Sequence, residues 1–208
     1  MPVSYLSQRE NIVLTALEII DELGLPGLRM REIARRMEIS ESELKRNFRS
    51  KDELLVALVA EFARFDERIV ETARVSDMTS SDRIRFLMNS FLEQYENYSE
   101  LIALLFSEEA LRGATEASAE LRETIQSRFD FLEEIIAQGQ GKGELTGVVK
   151  ARDLAMMIFG LVNSTTQRWR YGTDSFPLKM TVMTGLDSLL RLLAPDGKVS
   201  RAGKKREV

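Results

Sequence analysis

The chain has 208 residues, 44% of them hydrophobic and 30% charged, with a net charge of −4. That is enough apolar material for one large domain or two small ones, and it excludes wholesale disorder. Cysteine and histidine are both absent, which removes disulfides, thiolate metal sites, cysteine nucleophiles and the Ser-His-Asp triad; no metal or other cofactor is expected. No apolar run approaches the roughly 18 residues that span a bilayer, and the start MPVSYLSQREN lacks the order of a signal peptide. The expectation is a soluble cytoplasmic protein without a membrane partner. Residues 29–51 hold eight Lys/Arg against four Asp/Glu, residues 52–195 hold 15 against 23, and residues 196–208 hold five against two. A basic patch near one end of an acidic body points to a polyanionic partner.

Helical periodicity runs through the chain and predicts an all-α fold of about nine helices. The first spans about 7–23, with Ile12, Ala16, Ile19, Ile20 and Leu23 on one stripe and Gly24 and Gly27 as stop and turn. Short helices follow at about 30–37 and 41–48. Ser40 to Glu43 and Ser50 to Glu53 read as capping boxes, the second opening a helix to about residue 75. Further helices are predicted over 80–98, 100–112, 116–138, 151–171 and 177–193, with a glycine-rich loop at 139–147 and a frayed basic tail from 196.

The two short helices joined by Glu38-Ile39-Ser40 fit a helix-turn-helix. Ile33, Ala34, Met37, Ile39, Leu44 and Phe48 anchor it, which turns the polar residues of the second helix outward, where a major-groove helix needs them. Candidate DNA-binding residues are Arg29, Arg31, Ser40, Glu41, Ser42, Lys45, Arg46, Asn47 and Lys51. Carboxylate neighbours such as Glu133 and Glu134 diverge by about 100° on a helix and make no catalytic dyad, so no enzyme is expected.

The stretch from Arg9 to Leu55 resembles the DNA-binding domain of the TetR (tetracycline-repressor-like) transcriptional regulators. The matching marks are Ala16, Gly24, Ile33-Ala34, Ile39-Ser40, Leu44, Phe48 and Ser50 to Leu54. The chain departs from the family's usual residues at Arg29 (Ser or Thr), Glu38 (Gly), Lys45 (Tyr) and Asn47 (His or Tyr). The resemblance implies a helix-turn-helix domain over 1–51, a ligand-binding and dimerisation domain over 52–195, and a tail over 196–208. It also implies a homodimer on a palindromic double-stranded operator, acting as a repressor released by a small ligand. A cavity is then expected among the middle helices, with Met88, Phe91, Leu92, Tyr95, Phe106, Phe129, Phe159, Asn163 and Gln167 as candidate lining. Abundant Phe, Met and Leu and few inward charges favour an apolar ligand, with Asn163 or Gln167 as its hydrogen-bonding contact. Val182, Gly185, Leu186, Leu189 and Leu193 share one face of the last helix and are the candidate dimer interface. The rival reading keeps the fold but makes the protein a DNA-bound adaptor that recruits a protein partner without an inducer.

Overall fold

The computed structural model describes residues 7–98, 102, 104–105, 110, 112–172 and 175–194. Among these residues there are eight helices and no strand: α1 Gln8–Gly27, α2 Met30–Arg36, α3 Glu41–Asn47, α4 Lys51–Arg74, α5 Ser80–Asn97, α6 Glu116–Gly141, α7 Ala151–Arg170 and α8 Leu178–Leu192. Ile102, Leu104, Leu105 and Ala110 are also helical and buried; the rest of the helix expected over 100–112, and the tail from 196, lie outside the described residues. The chain forms two compact units, one from 1–69 with 93–128 and the other from 70–92 with 129–208.

In the first unit, α1 to α3 close around a common core. Ile12, Ala16, Ile19 and Ile20 of α1 meet Ile33 and Ala34 of α2, Leu44 of α3 and Phe48, which caps the C-terminus of α3, all at most 4% exposed. Each large side chain so buried stabilises the fold by about 1.5–3 kcal/mol. Gly24 breaks α1 where a stop is predicted, adopting φ 69°, before one further helical turn to Gly27. Ser7 and Glu10 form a complete capping box at the start of α1, which the sequence reading did not anticipate. The two expected boxes are each half formed. Ser40 and Ser50 accept from the Glu43 and Glu53 amides, but Glu43 accepts from Gln8 Nε2 and Glu53 from the Arg49 amide. Between α2 and α3 the chain turns on Glu38 at φ 55°, the left-handed region that favours glycine.

The same unit buries an ion pair. Arg128 of α6 donates to both carboxylate oxygens of Asp66 in α4, at 2.5 and 2.9 Å, and to the Tyr95 hydroxyl of α5 at 2.9 Å. Arg128 and Asp66 are 4% and 7% exposed. Burial pushes the Asp66 carboxyl up while the guanidinium pulls it back; Tyr95 and Asp66 hold Arg128 in its charged form against the same burial. The expectation of few inward charges is corrected here, and Arg83 of the second unit is buried too.

In the second unit, α7 and α8 pack through Leu154, Ile158 and Val162 against Val182, Leu186 and Leu190. Gly185 allows this approach, since a β-carbon there would sit 3.3 Å from two Leu161 methyl carbons. This glycine is a candidate dimer residue in the sequence, but the neighbour it meets here is a helix of the same chain. Gly139 is likewise a packing residue rather than part of a loop. It lies inside α6, where a β-carbon would meet Ser80 Cβ at 2.7 Å. Beside it the Glu144 carboxylate sits at the N-terminus of α5 and accepts from the Ser80 amide at 2.6 Å, a hydrogen bond that lowers the Glu144 pKa. On α8 the hydroxyls of Thr181, Thr184 and Ser188 each donate to the carbonyl four residues back.

Two stability measurements check these assignments. Glu38→Gly relieves a left-handed glutamate and is expected to raise the unfolding free energy by about 1 kcal/mol in urea titrations, a gain that any loss would contradict. Arg128→Met strands the Asp66 carboxylate and is expected to cost about 3–5 kcal/mol. Combining it with Asp66→Leu should recover most of that loss.

Candidate functional site

The α2–turn–α3 segment presents its polar residues as the helix-turn-helix reading requires. Arg29, Arg31, Glu41, Ser42, Lys45 and Arg46 are exposed, and the four cations make no ion pair among the described residues. Ser40 is exposed as well, but its hydroxyl accepts from the Glu43 amide at 3.1 Å and caps α3. Asn47 and Lys51, expected as phosphate contacts, are half-buried and engaged within the unit. The Asn47 amide donates to Gln8 Oε1 and to the Glu43 carbonyl, both at 3.2 Å, and Lys51 Nζ donates to the Leu25 carbonyl at 2.9 Å. Both are braces of the domain in this structure.

Neighbouring cations behave differently. Arg35 and Arg36 share the Glu32 carboxylate, and Arg36 also reaches Glu22 at 2.6 Å. The two guanidiniums hold the Glu32 pKa down at about 2, so the acid stays ionised and the cluster stays internally neutralised at any pH well above that. The patch counted as +4 in the sequence therefore exposes a smaller group of unneutralised cations, centred on the turn before α2 and on α3.

Two residues that the sequence reading missed hold the recognition helix. Arg9 stacks its guanidinium over the Phe48 ring, 3.9 Å from the centroid, and donates to the Asn47 carbonyl at 2.5 Å. Gln8 donates to Glu43 at 2.7 Å and accepts from Asn47. Both precede the apolar stripe of α1, where a periodicity scan has nothing to register.

The candidate ligand residues are placed unevenly. Met88, Phe91 and Leu92 of α5 are buried in the second unit, where Phe129 and Phe159 are half-buried and meet edge to face at 5.8 Å. Tyr95 is buried in the first unit on Arg128, and Phe106 lies outside the described residues. Asn163 is half-buried and Gln167 exposed, because the inward polar residue on α7 is Thr166, fully buried with no hydrogen-bond partner for its hydroxyl. Among the candidate dimer residues, Val182 and Leu186 are fully buried and Leu193 nearly so, which corrects their assignment to an outer face. Gly185 and Leu189 are half-buried, and the exposed apolar residues of these two helices are Met156, Met157, Met180 and Leu192. No group of three or more acidic residues that could hold a metal occurs among the described residues, and no helix there is long and apolar enough to cross a membrane.

A short helix whose exposed cations make no ion pair among the described residues, braced by a capped helix through its last backbone carbonyl and the phenylalanine that follows, is the working part of a helix-turn-helix DNA-binding protein. Residues 12–58 match the family model described as bacterial regulatory proteins, tetR family, and residues 77–171 match the tetracyclin repressor-like C-terminal domain. The chain belongs to the TetR family of DNA-binding transcriptional regulators. It is 21% identical over 168 residues to the fatty acid metabolism regulator protein of Bacillus subtilis strain 168, covering 80% of this chain and 86% of that one. The crystal structure of FadR from Bacillus subtilis in complex with stearoyl-CoA superposes with a TM-score of 0.71 at 21% identity, over 90% of this chain and 98% of that one. AibR in complex with isovaleryl coenzyme A and operator DNA gives 0.71 at 22% identity, over 91% and 99%.

Salt dependence checks the interface. If two copies of the chain bind one operator with about six to ten phosphate contacts between them, log K against log salt is expected to fall with a slope of about −5 to −9. Lys45→Ala should make the slope shallower by about one contact per half-site and weaken all sequences alike. Arg46→Ala should also relax base preference, and Arg9→Ala should weaken binding without relaxing it.

Proposed function

We propose that this protein is a homodimeric repressor that leaves its palindromic operator when an acyl-coenzyme A binds the region downstream of α4. The observation that carries the DNA half of this reading is the set of exposed, unpaired cations Arg29, Arg31, Lys45 and Arg46 on a braced helix-turn-helix. Residues 1–51 then carry the operator contacts and residues 52–195 the ligand and the dimer.

The ligand half is supported by the relatives. One is a fatty acid metabolism regulator, and two of the similar folds hold acyl-coenzyme A molecules in their crystals. An acyl chain suits the apolar side chains of Met88, Phe91 and Leu92, with Phe129 and Phe159. The unpartnered Thr166 hydroxyl takes over the polar contact first sought at Asn163 or Gln167, since a buried hydroxyl needs a partner. The coenzyme part makes this ligand larger and more anionic than the small apolar molecule that the sequence suggested. Dimerisation is assigned to the exposed faces of α7 and α8, with Met156, Met157, Met180 and Leu192, in place of the buried Val182 and Leu186.

The test is fluorescence anisotropy on an operator fragment selected from random DNA. Stearoyl-CoA is expected to weaken binding by about 5- to 150-fold, the range of ordinary coupling energies, while free coenzyme A does little. Equal affinity with and without acyl-CoAs of any chain length would favour the adaptor. Met156→Glu together with Leu192→Glu should give monomers by light scattering and lose operator binding.

A further inference from the structure

The first unit carries a second concavity that the proposed ligand region does not use. A groove of about 810 Å³ lies along α1 and α4 and reaches the end of α5 at Gln94 and Tyr98. Its floor is apolar, made by Val13, Leu17, Val56, Ala57, Ala60 and Phe65. That volume is in the range of pockets that hold drug-sized molecules. None of the described candidate ligand residues from Met88 to Gln167 lines it.

The charged groups along the groove are engaged elsewhere. Arg9 grips α3, Arg64 is paired with Glu61, and Arg68 lies 5.6 Å from the Phe65 ring centroid. Glu10 closes the capping box with Ser7, and Glu53 accepts from the Arg49 amide. Each of these charged groups already makes an ion pair, a hydrogen bond or a ring contact, so an ionic occupant would have to displace an existing contact as well as lose its water. One polar atom is different. Gln94 lines the groove at 4% exposure, and among the described residues its buried Oε1 has no hydrogen-bond partner. A buried amide oxygen without a donor is a cost that a suitably placed N–H or O–H removes.

The geometry points to a binding site for an uncharged, largely apolar molecule that donates one hydrogen bond to Gln94 Oε1. Its occupancy is read by the DNA-binding helix. One wall of the groove is the first turn of α1, and Arg9 in that turn holds the last residue of α3 by its carbonyl and Phe48 by its ring. A molecule wedged between α1 and α4 displaces the residue that positions α3. This site acts on the recognition helix within one unit and goes beyond the acyl-coenzyme A reading.

N-phenyl-1-naphthylamine is a fitting probe, with two apolar aromatic portions, no charge and one N–H. Titrated into the full-length protein, it should bind one molecule per chain with a blue-shifted, enhanced emission. Its N-methyl derivative, which lacks the donor, should bind at least fivefold more weakly. Gln94→Leu should abolish that preference, and Ala60→Trp or Ala57→Phe, which fill the groove, should weaken the dye at least tenfold while circular dichroism stays unchanged. Saturating dye should change operator affinity at least threefold in the parent and not in Ala60→Trp. Absence of dye binding, binding that survives both groove-filling variants, or a donor preference that persists in Gln94→Leu would each overturn the proposal. The response of Ala60→Trp to stearoyl-CoA reports on the acyl-coenzyme A reading separately.

Discussion

A seven-residue helix has no stability of its own, because nucleation is unfavourable and the turn count is too low for propagation to compensate. Everything this protein can do with DNA therefore depends on how α3 is held. Leu44 and Phe48 bury one side of it, and Ser40 closes its first turn. The decisive contact is Arg9, whose guanidinium covers Phe48 and whose Nη1 takes the Asn47 carbonyl. That carbonyl is one of the last four of the helix, groups that no intrahelical amide can reach. One side chain from another helix thus satisfies the end of α3 and covers its last apolar residue.

Charge is partitioned with the same economy. Cations that stiffen the domain are bound to acids, as Arg36 is to Glu22 and Glu32, or to carbonyls, as Arg9 and Lys51 are, while Lys45 and Arg46 on α3 and Arg29 before α2 are left to solvent. Surface pairs of this kind contribute little to stability. Their effect is on the field, since they remove positive charge from one flank of the domain and leave it on another. Deeper in the unit the logic reverses, and Arg128 with Asp66 is buried as a bidentate pair completed by Tyr95. Such a pair fixes the register of α4, α5 and α6 because each partner is costly to strand.

Much of the fold was legible in the sequence because it rests on 3.6-residue periodicity and on glycine and serine at helix ends. Helix bounds come within a few residues of expectation for α1 to α5, and of the six helix-turn-helix anchors Ile33, Ala34, Leu44 and Phe48 are buried while Met37 and Ile39 are half-buried. What was illegible depends on long-range neighbours. Gly139 reads as loop composition until Ser80 is seen pressed against it. Val182 and Leu186 form an apolar face in either reading, and nothing in the sequence says whether it meets α7 of the same chain or another molecule. Of the DNA-facing set, Arg46 and Lys45 follow from exposure on a short polar helix. The bracing of Asn47 does not, because Gln8, its partner, is 39 residues away. Asn163, Thr166 and Gln167 are all polar positions in an otherwise apolar helix, and nothing in the sequence says that Thr166 is the one that turns inward.

The hydroxyls of α8 have a consequence for selectivity. Thr181, Thr184 and Ser188 lie exposed, yet each has turned its only proton inward to a carbonyl of the same helix. Their outer aspect is small, methyl-bearing or methylene-bearing, and silent as a donor. A molecule lying along this side, between Met180 and Leu192, meets contour and little hydrogen-bond vocabulary. Discrimination between a copy of this chain and a related one would then be a matter of steric fit, where methionine is forgiving and threonine is not. The helix trades chemical discrimination for tolerance of shape at one end and insistence on it in the middle.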